Sequence, residues 1–278
     1  MSERIDAHQH FWDPARGDYG WLTPDKMALY RPFGPGDLAP LLEAAGIQGT
    51  VLVQAAPTVA ETQYMLDIAS ETDAVRAVVG WIDFADPGHM AHLERFARHP
   101  KFRGVRPMIQ DIADVDWMMR RELDWAFAAL VDLDLTFDAL THPRHLPNLM
   151  QLLLRWPDLR VVIDHASKPA IRDRAFEPWA ADIGLIADGT NALCKLSGLV
   201  TEAKADWSVD DLRPYVDHLL ASFGAGRLMF GSDWPVCTLA SSYQRWVDAA
   251  ESLVAGCAAG ERLAIFGGTA AQFYRLPA

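Results

Sequence analysis

Eight short apolar runs, each followed by an amphipathic stretch, constrain this chain more than anything else in its 278 residues. The runs cover residues 4–10, 47–55, 75–83, 102–109, 133–140, 159–165, 191–197 and 227–233. They are rich in Val, Ile, Leu and Phe and alternate only in part, the pattern of strands covered on both faces. Between them, residues 37–45, 60–72, 88–98, 118–132, 146–155, 176–187, 210–223 and 243–255 repeat apolar side chains at three- and four-residue steps, as helices do. Gly46 is placed to end the first helix in a left-handed cap, and Pro143 and Pro157 bracket the fifth. Strict strand–helix alternation predicts an α/β fold, one (β/α)8 TIM barrel spanning residues 1–278 as a single domain. Some joins are distorted, and residues 261–266 and 269–274 add a short C-terminal helical extension. The segment 13–36, rich in Pro, Gly and aromatic residues, is an enlarged join after the first strand. It serves either as a lid over the barrel mouth or as an ordered surface loop.

Composition narrows the function. A formal charge of −12 argues against a nucleic-acid or anionic-membrane surface, because phosphate binding needs a basic field. Cys194, Cys237 and Cys257 are far apart with no C-x-x-C spacing, which argues against a disulfide scaffold or a zinc finger. No basic-then-apolar leader opens the chain and no apolar run approaches a membrane span, so a cytoplasmic enzyme acting on a small molecule is expected. The oligomeric state cannot be read from the sequence.

Catalytic groups of such a barrel gather at the C-terminal ends of the strands. The first strand offers His8 and His10, which share a face because strand side chains alternate. Two imidazoles about 7 Å apart on one face suit a divalent ion or a reacting group. The later ends offer Gln54, Trp81 with Asp83, Arg106, Asp138 with His142 beyond it, Asp164 with His165, Lys195 with Ser197, and Ser232 with Asp233. Asp233 leaves a buried strand just before a Trp234-Pro235 turn, where it can ligate a metal and take a proton from water. His89, His92, His99 and His218 fall on helical surfaces and read as solvated.

The ordered set of motifs resembles the amidohydrolase superfamily, in the branch called amidohydrolase family 2. It comprises Ile5-Asp6-Ala7-His8-Gln9-His10-Phe11-Trp12-Asp13, Val53-Gln54-Ala55, Val79-Gly80-Trp81-Ile82-Asp83, Gly104-Val105-Arg106, Ile163-Asp164-His165-Ala166-Ser167-Lys168-Pro169, Cys194-Lys195-Leu196-Ser197-Gly198 and Gly231-Ser232-Asp233-Trp234-Pro235-Val236. As a group they are similar to the sugar-lactonase subgroup, which includes L-fuconolactone and L-rhamnonolactone hydrolases. The resemblance implies a metal set of His8, His10, His165 and Asp233 around one divalent ion, zinc foremost, although some lactonases of this branch work without one. Arg106 stands where binuclear relatives bridge two metals with a carboxylated Lys or a Glu, which argues against a second ion.

The implied reaction is water attack on a sugar-acid lactone, with Asp233 as base and then acid. Arg106, Lys195 and His165 are the available stabilisers of the carbonyl oxygen, and Gln54, Asp83, Trp81, Trp234 and His142 line the substrate pocket. The alternatives are a metal-dependent decarboxylase of the same branch and a non-catalytic ligand-binding barrel.

Overall fold

A computed structural model describes residues 3–276. Eight parallel strands run in the order β1 (Ile5–Gln9), β2 (Gly49–Val53), β3 (Val75–Gly80), β4 (Phe102–Val105), β5 (Thr136–Ala139), β6 (Arg160–Ile163), β7 (Leu193–Leu196) and β8 (Leu228–Phe230). Between and after them lie α1 (Pro35–Ala45), α2 (Val59–Glu71), α3 (Met90–Ala97), α4 (Asp124–Asp132), α5 (Leu146–Arg155), α6 (Trp179–Gly189), α7 (Leu199–Glu202), α8 (Val209–Phe223), α9 (Tyr243–Leu253), α10 (Ala259–Leu263) and α11 (Thr269–Phe273). Every strand follows its predecessor in sequence, so all connections are crossovers and the architecture is the expected (β/α)8 barrel. Only α7, four residues long, has no counterpart in the sequence pattern.

The strands are shorter than their apolar runs, and the trimming falls mostly at the C-terminal ends. Residues 106–109 and 231–233 lie beyond the regular strands, although Arg106 N still donates to Gly80 O at 2.8 Å and Gly231 N to Leu196 O at 3.1 Å. They include Arg106 and Asp233, whose side chains turn toward the barrel mouth instead of extending the sheet. β8 and β1 meet through a parallel bridge between Gln9 and Trp234. Asp6 reinforces that seam, its carboxylate accepting from Ser232 N at 2.8 Å, His8 N at 3.1 Å and Tyr243 Oη at 3.0 Å.

Inward-facing Ile5, Ala7, Val51, Val53, Ala77, Val79, Val162 and Met229 fill the barrel, and Ala270, Phe273 and Tyr274 of the C-terminal segment pack against them from below. A separate, larger apolar layer joins strands to helices. Gly46 takes φ +63° at the end of α1, the left-handed cap its position predicts. His218 departs from expectation. It is half-buried, its Nε2 2.8 Å from Ala180 O and its ring packed on Phe176 and Trp179, because α6 and α8 are neighbours. Among the described residues no helix is long and apolar enough to cross a membrane.

Candidate active site

Beyond Gln9 and Phe230 the backbones of the first and last strands keep pairing. His10 N donates to Trp234 O at 2.7 Å, and Asp233 N donates to His8 O at 2.7 Å. That pairing points His8, His10 and Asp233 at one spot. His10 Nε2 lies 3.1 Å from Asp233 Oδ1, and His8 Nε2 lies 3.8 Å from the same oxygen. His165, arriving from β6, puts its Nε2 at 3.8 Å as well. The His8 and His10 rings are 4.9 Å apart. They meet edge to face, beside the point where the register of β1 against β2 shifts between Asp6 and Gln9.

Hydrogen bonds on the far side of each ring decide which nitrogen faces the centre. His10 Nδ1 donates to Val53 O at 2.7 Å, which leaves Nε2 as the lone pair aimed at Asp233. His8 stands between two donor-only cations, with Lys195 Nζ 3.1 Å from Nδ1 and Arg106 Nη1 3.1 Å from Nε2. A neutral ring accepts at only one nitrogen, and Asp164 Oδ1 lies 3.4 Å from Nδ1 without a hydrogen bond between them. A carboxylate behind an imidazole is the arrangement that orients histidine metal ligands. His165 Nδ1 pairs with Ser197 Oγ at 2.8 Å. One ligand atom from each of His8, His165 and Asp233 falls within 4.8 Å of the others. Nitrogen and oxygen donors converging in this way fit a divalent ion.

The charges agree with that reading. Burial lowers the pKa of His8 and His165 well below the ordinary imidazole value, helped for His8 by Lys195 and Arg106, so both rings are neutral. His10 is lowered by burial too, against the pull of Asp233. Burial alone would raise Asp233, yet His165 and His10 hold it below the usual carboxylate range. Asp164 is likewise held down against burial by Lys195, Arg106 and His165.

The backbone is shaped to suit. His165, Ala166, Ser167 and Lys168 all take positive φ, between 50° and 59°, a left-handed turn that swings His165 and Lys168 toward the mouth. A Cβ on Gly198 would sit 2.5 Å from His165 Nδ1, so the close approach of that ring needs glycine there. A cavity of about 270 Å³ opens above the cluster, lined by His10, Arg106, His165, Lys168 and Asp233 and roofed by Trp21 and Lys26. The 13–36 segment therefore reaches over the mouth. It is strapped down by Trp12, whose backbone pairs both ways with Phe33 at 2.9 and 3.0 Å, and by Trp21 Nε1 donating to Ala55 O at 2.6 Å.

Residues 5–276 match the family described as Amidohydrolase. The chain belongs to the amidohydrolase family. It is 46% identical over 280 residues to an L-fucono-1,5-lactonase of Burkholderia ambifaria, covering 99% of this chain and 97% of that one. An L-fucono-1,5-lactonase of Burkholderia multivorans is 39% identical, with 99% and 96% covered. An amidohydrolase crystal structure from Burkholderia multivorans with bound Zn superposes with a TM-score of 0.93 at 38% identity, covering 99% of this chain and 100% of that one.

Against this amidohydrolase frame the other expected site residues divide. Arg106 reaches the cavity, held by Gln54, whose Nε2 donates to Arg106 O at 2.6 Å and whose own carbonyl accepts from Arg106 Nη2. Gln54 is itself fully buried behind Arg106 and outside the cavity lining. Lys195 lies beneath His8, hydrogen-bonded to Asp138 Oδ2 at 2.6 Å and ion-paired with Asp164 Oδ1 at 3.0 Å, and does not line the cavity. Trp234 packs edge-on to Phe11 and Phe33 at the lid base. His142 is half-buried beyond β5, its pKa lowered to about 4 by burial and Lys168. Trp81 and Asp83 line a neighbouring cleft. Sequence reasoning passed over Lys26, Lys168, Gln110 and Asp111, all of which line the cavity. Lys168 carried a signal, three residues after His165 in a quoted motif, whereas Lys26 sits on a loop and Gln110 and Asp111 in a single 3-10 turn, too short for a periodicity to read.

Proposed function

We propose that this amidohydrolase opens a sugar-acid lactone of the L-fucono-1,5-lactone class, with Asp233 as general base and then general acid. The observation that carries this reading is Asp233 Oδ1, on which the Nε2 atoms of His8, His10 and His165 converge at 3.1 to 3.8 Å. The two lactonase relatives, matched along nearly their whole length, support the substrate class.

Asp233 takes a proton from water as the water oxygen adds to the lactone carbonyl carbon. The charge that gathers on the carbonyl oxygen is met by Arg106 and Lys168, the cations lining the cavity beside His165. Collapse breaks the bond from that carbon to the ring oxygen, and Asp233 returns its proton to the departing alkoxide. The product is an open hydroxy acid. Lys195 acts from below, fixing His8 and Asp164 instead of touching substrate. His8, His10, His165 and Asp233 would hold a divalent ion, and we assign zinc, the metal bound in the Burkholderia multivorans structure. When bound, such an ion polarises a carbonyl and acidifies water.

The test is ring opening of L-fucono-1,5-lactone, followed by acid release, in wild type and Asp233→Asn. Loss of general acid–base catalysis predicts a fall in kcat of roughly 10²- to 10⁴-fold with the fold intact. Wild type without lactone turnover, or a variant at wild-type rate, sinks the assignment. Carbon dioxide release from aromatic acids instead would point to the decarboxylase alternative.

A further inference from the structure

Beside the catalytic cavity lies a second cleft of about 540 Å³, and Trp21, Met108 and Asp111 form a wall common to both. Trp81 and Trp117 complete its aromatic lining. Each ring is fixed, since Trp81 packs edge-on to His89 at 5.7 Å, Trp117 against Phe84 at 5.8 Å, and Trp21 is tied to Ala55 O. Rings already held in place lose little entropy when a ligand stacks on them. Asp83 and Asp111 add hydrogen-bond acceptors. Asp83 Oδ1 accepts from Ala85 N at 2.8 Å, and Asp111 has one long contact to Gln110 Nε2 at 3.5 Å, so both keep lone pairs for an incoming hydroxyl.

Charge separates the two spaces. Lys26, Arg106 and Lys168 line the catalytic cavity, where a carbonyl or carboxylate belongs. Among the described residues no Lys or Arg lines the cleft, which carries Asp83, shares Asp111 with the cavity, and holds Asp18 in an ion pair with Arg16, so it offers an anionic substituent no partner. Aromatic faces with carboxylate acceptors suit a neutral sugar ring, which presents C–H faces and hydroxyl edges.

From this we infer that the cleft is a second subsite for a neutral glycosyl unit attached to the lactone, so that glycosylated aldonolactones are substrates. The inference rests on the lactonase reading of the adjoining cavity. It places the reacting ring at Asp233 and the second ring on Trp81 and Trp117, across the Met108 wall.

The experiment compares L-fucono-, glucono-, cellobiono- and lactobiono-1,5-lactone on wild type, Trp117→Ala and Ile112→Glu. Both substitutions fall in the cleft and outside the catalytic cavity, and the second keeps every aromatic ring of the cleft. A glycosylated lactone is expected to show a KM roughly tenfold or more below that of glucono-1,5-lactone, the scale of one stacked, hydrogen-bonded ring. Either variant should abolish that ratio while leaving kcat/KM on the simple lactones unchanged. Hydrolysis of simple lactones with no gain from the second sugar overturns the subsite alone. Variants that slow both classes equally also overturn it, and failure on every lactone removes the lactonase reading and the subsite together.

Discussion

Asp233 and the turn from His165 to Lys168 are unusual in backbone as well as side chain. Asp233 has φ +57°, and the four residues of the turn share that left-handed region. Each non-glycine residue there costs on the order of 1–2 kcal/mol, a strain tolerated where surrounding structure fixes it and function needs it. The fixing contacts are visible: Trp179 Nε1 donates to Ala166 O at 2.7 Å, Ser167 Oγ pairs with Thr141 Oγ1 at 2.8 Å, and His165 Nδ1 is held by Ser197 Oγ. Gly198, itself at φ +65°, completes the seat. Gly198→Ala should therefore push the His165 ring out of line. We expect a kcat at least about tenfold lower and a stability loss of roughly 1–3 kcal/mol, read from steady-state kinetics and urea melts. An unchanged kcat in a folded variant would show that the position of His165 does not matter. The identities of His165 and Asp233 were legible in the sequence because a carboxylate or imidazole ending an apolar run is conspicuous. Their backbone was not, since no local propensity encourages Ala166 or Lys168 to turn left-handed, and only tertiary contacts hold them there.

At the level of elements, strands and helices were legible from periodicity, and the errors cluster where a strand stops pairing and starts serving the site. The C-terminal segment was read as a closing helix, but nothing in its spacing announced that Tyr274 enters the barrel. Its hydroxyl donates to Asp138 Oδ2 at 2.6 Å, that oxygen also takes Lys195 Nζ, and Lys195 reaches His8 Nδ1. Tyr274, Asp138, Lys195 and His8 are all fully buried, so the chain of contacts runs from the barrel floor to the site through the protein interior, where such bonds are strong. Removing the Tyr274 hydroxyl takes one donor from Asp138, the carboxylate that holds Lys195. Tyr274→Phe is expected to cost about 1–3 kcal/mol of stability and to lower kcat severalfold at constant KM. A loss of stability with kcat intact would confine Tyr274 to a packing role.

For the molecule as a whole, the buried acid that matters to pH lies outside the candidate metal site. Glu61 is fully buried in the first turn of α2 and accepts from Ala55 N at 3.0 and 3.1 Å and from Ala56 N at 2.6 Å. It thereby holds the loop whose Ala55 carbonyl anchors the lid through Trp21. Burial lifts its pKa from 4.5 to about 8, although those N–H bonds pull the other way. The native state then keeps a proton that the unfolded chain releases above about pH 4.5. The corresponding stability is fully present below that pH, declines as pH rises and is gone above about 8. The histidines whose pKa burial lowers in the folded chain take up protons when it unfolds, which opposes this slope near pH 7, so Glu61 is read from the difference between two proteins. Wild type should lose up to about 1.4 kcal/mol per pH unit more than Glu61→Gln through this window. Glu61→Gln keeps an acceptor for the Ala55 and Ala56 amides and the same histidines but has no proton to lose at this position. Urea unfolding of both proteins at pH 6.5, 7.0, 7.5 and 8.0 measures the difference. Parallel curves would mean that Glu61 is already ionised in the folded chain, with the lid anchored by a carboxylate throughout.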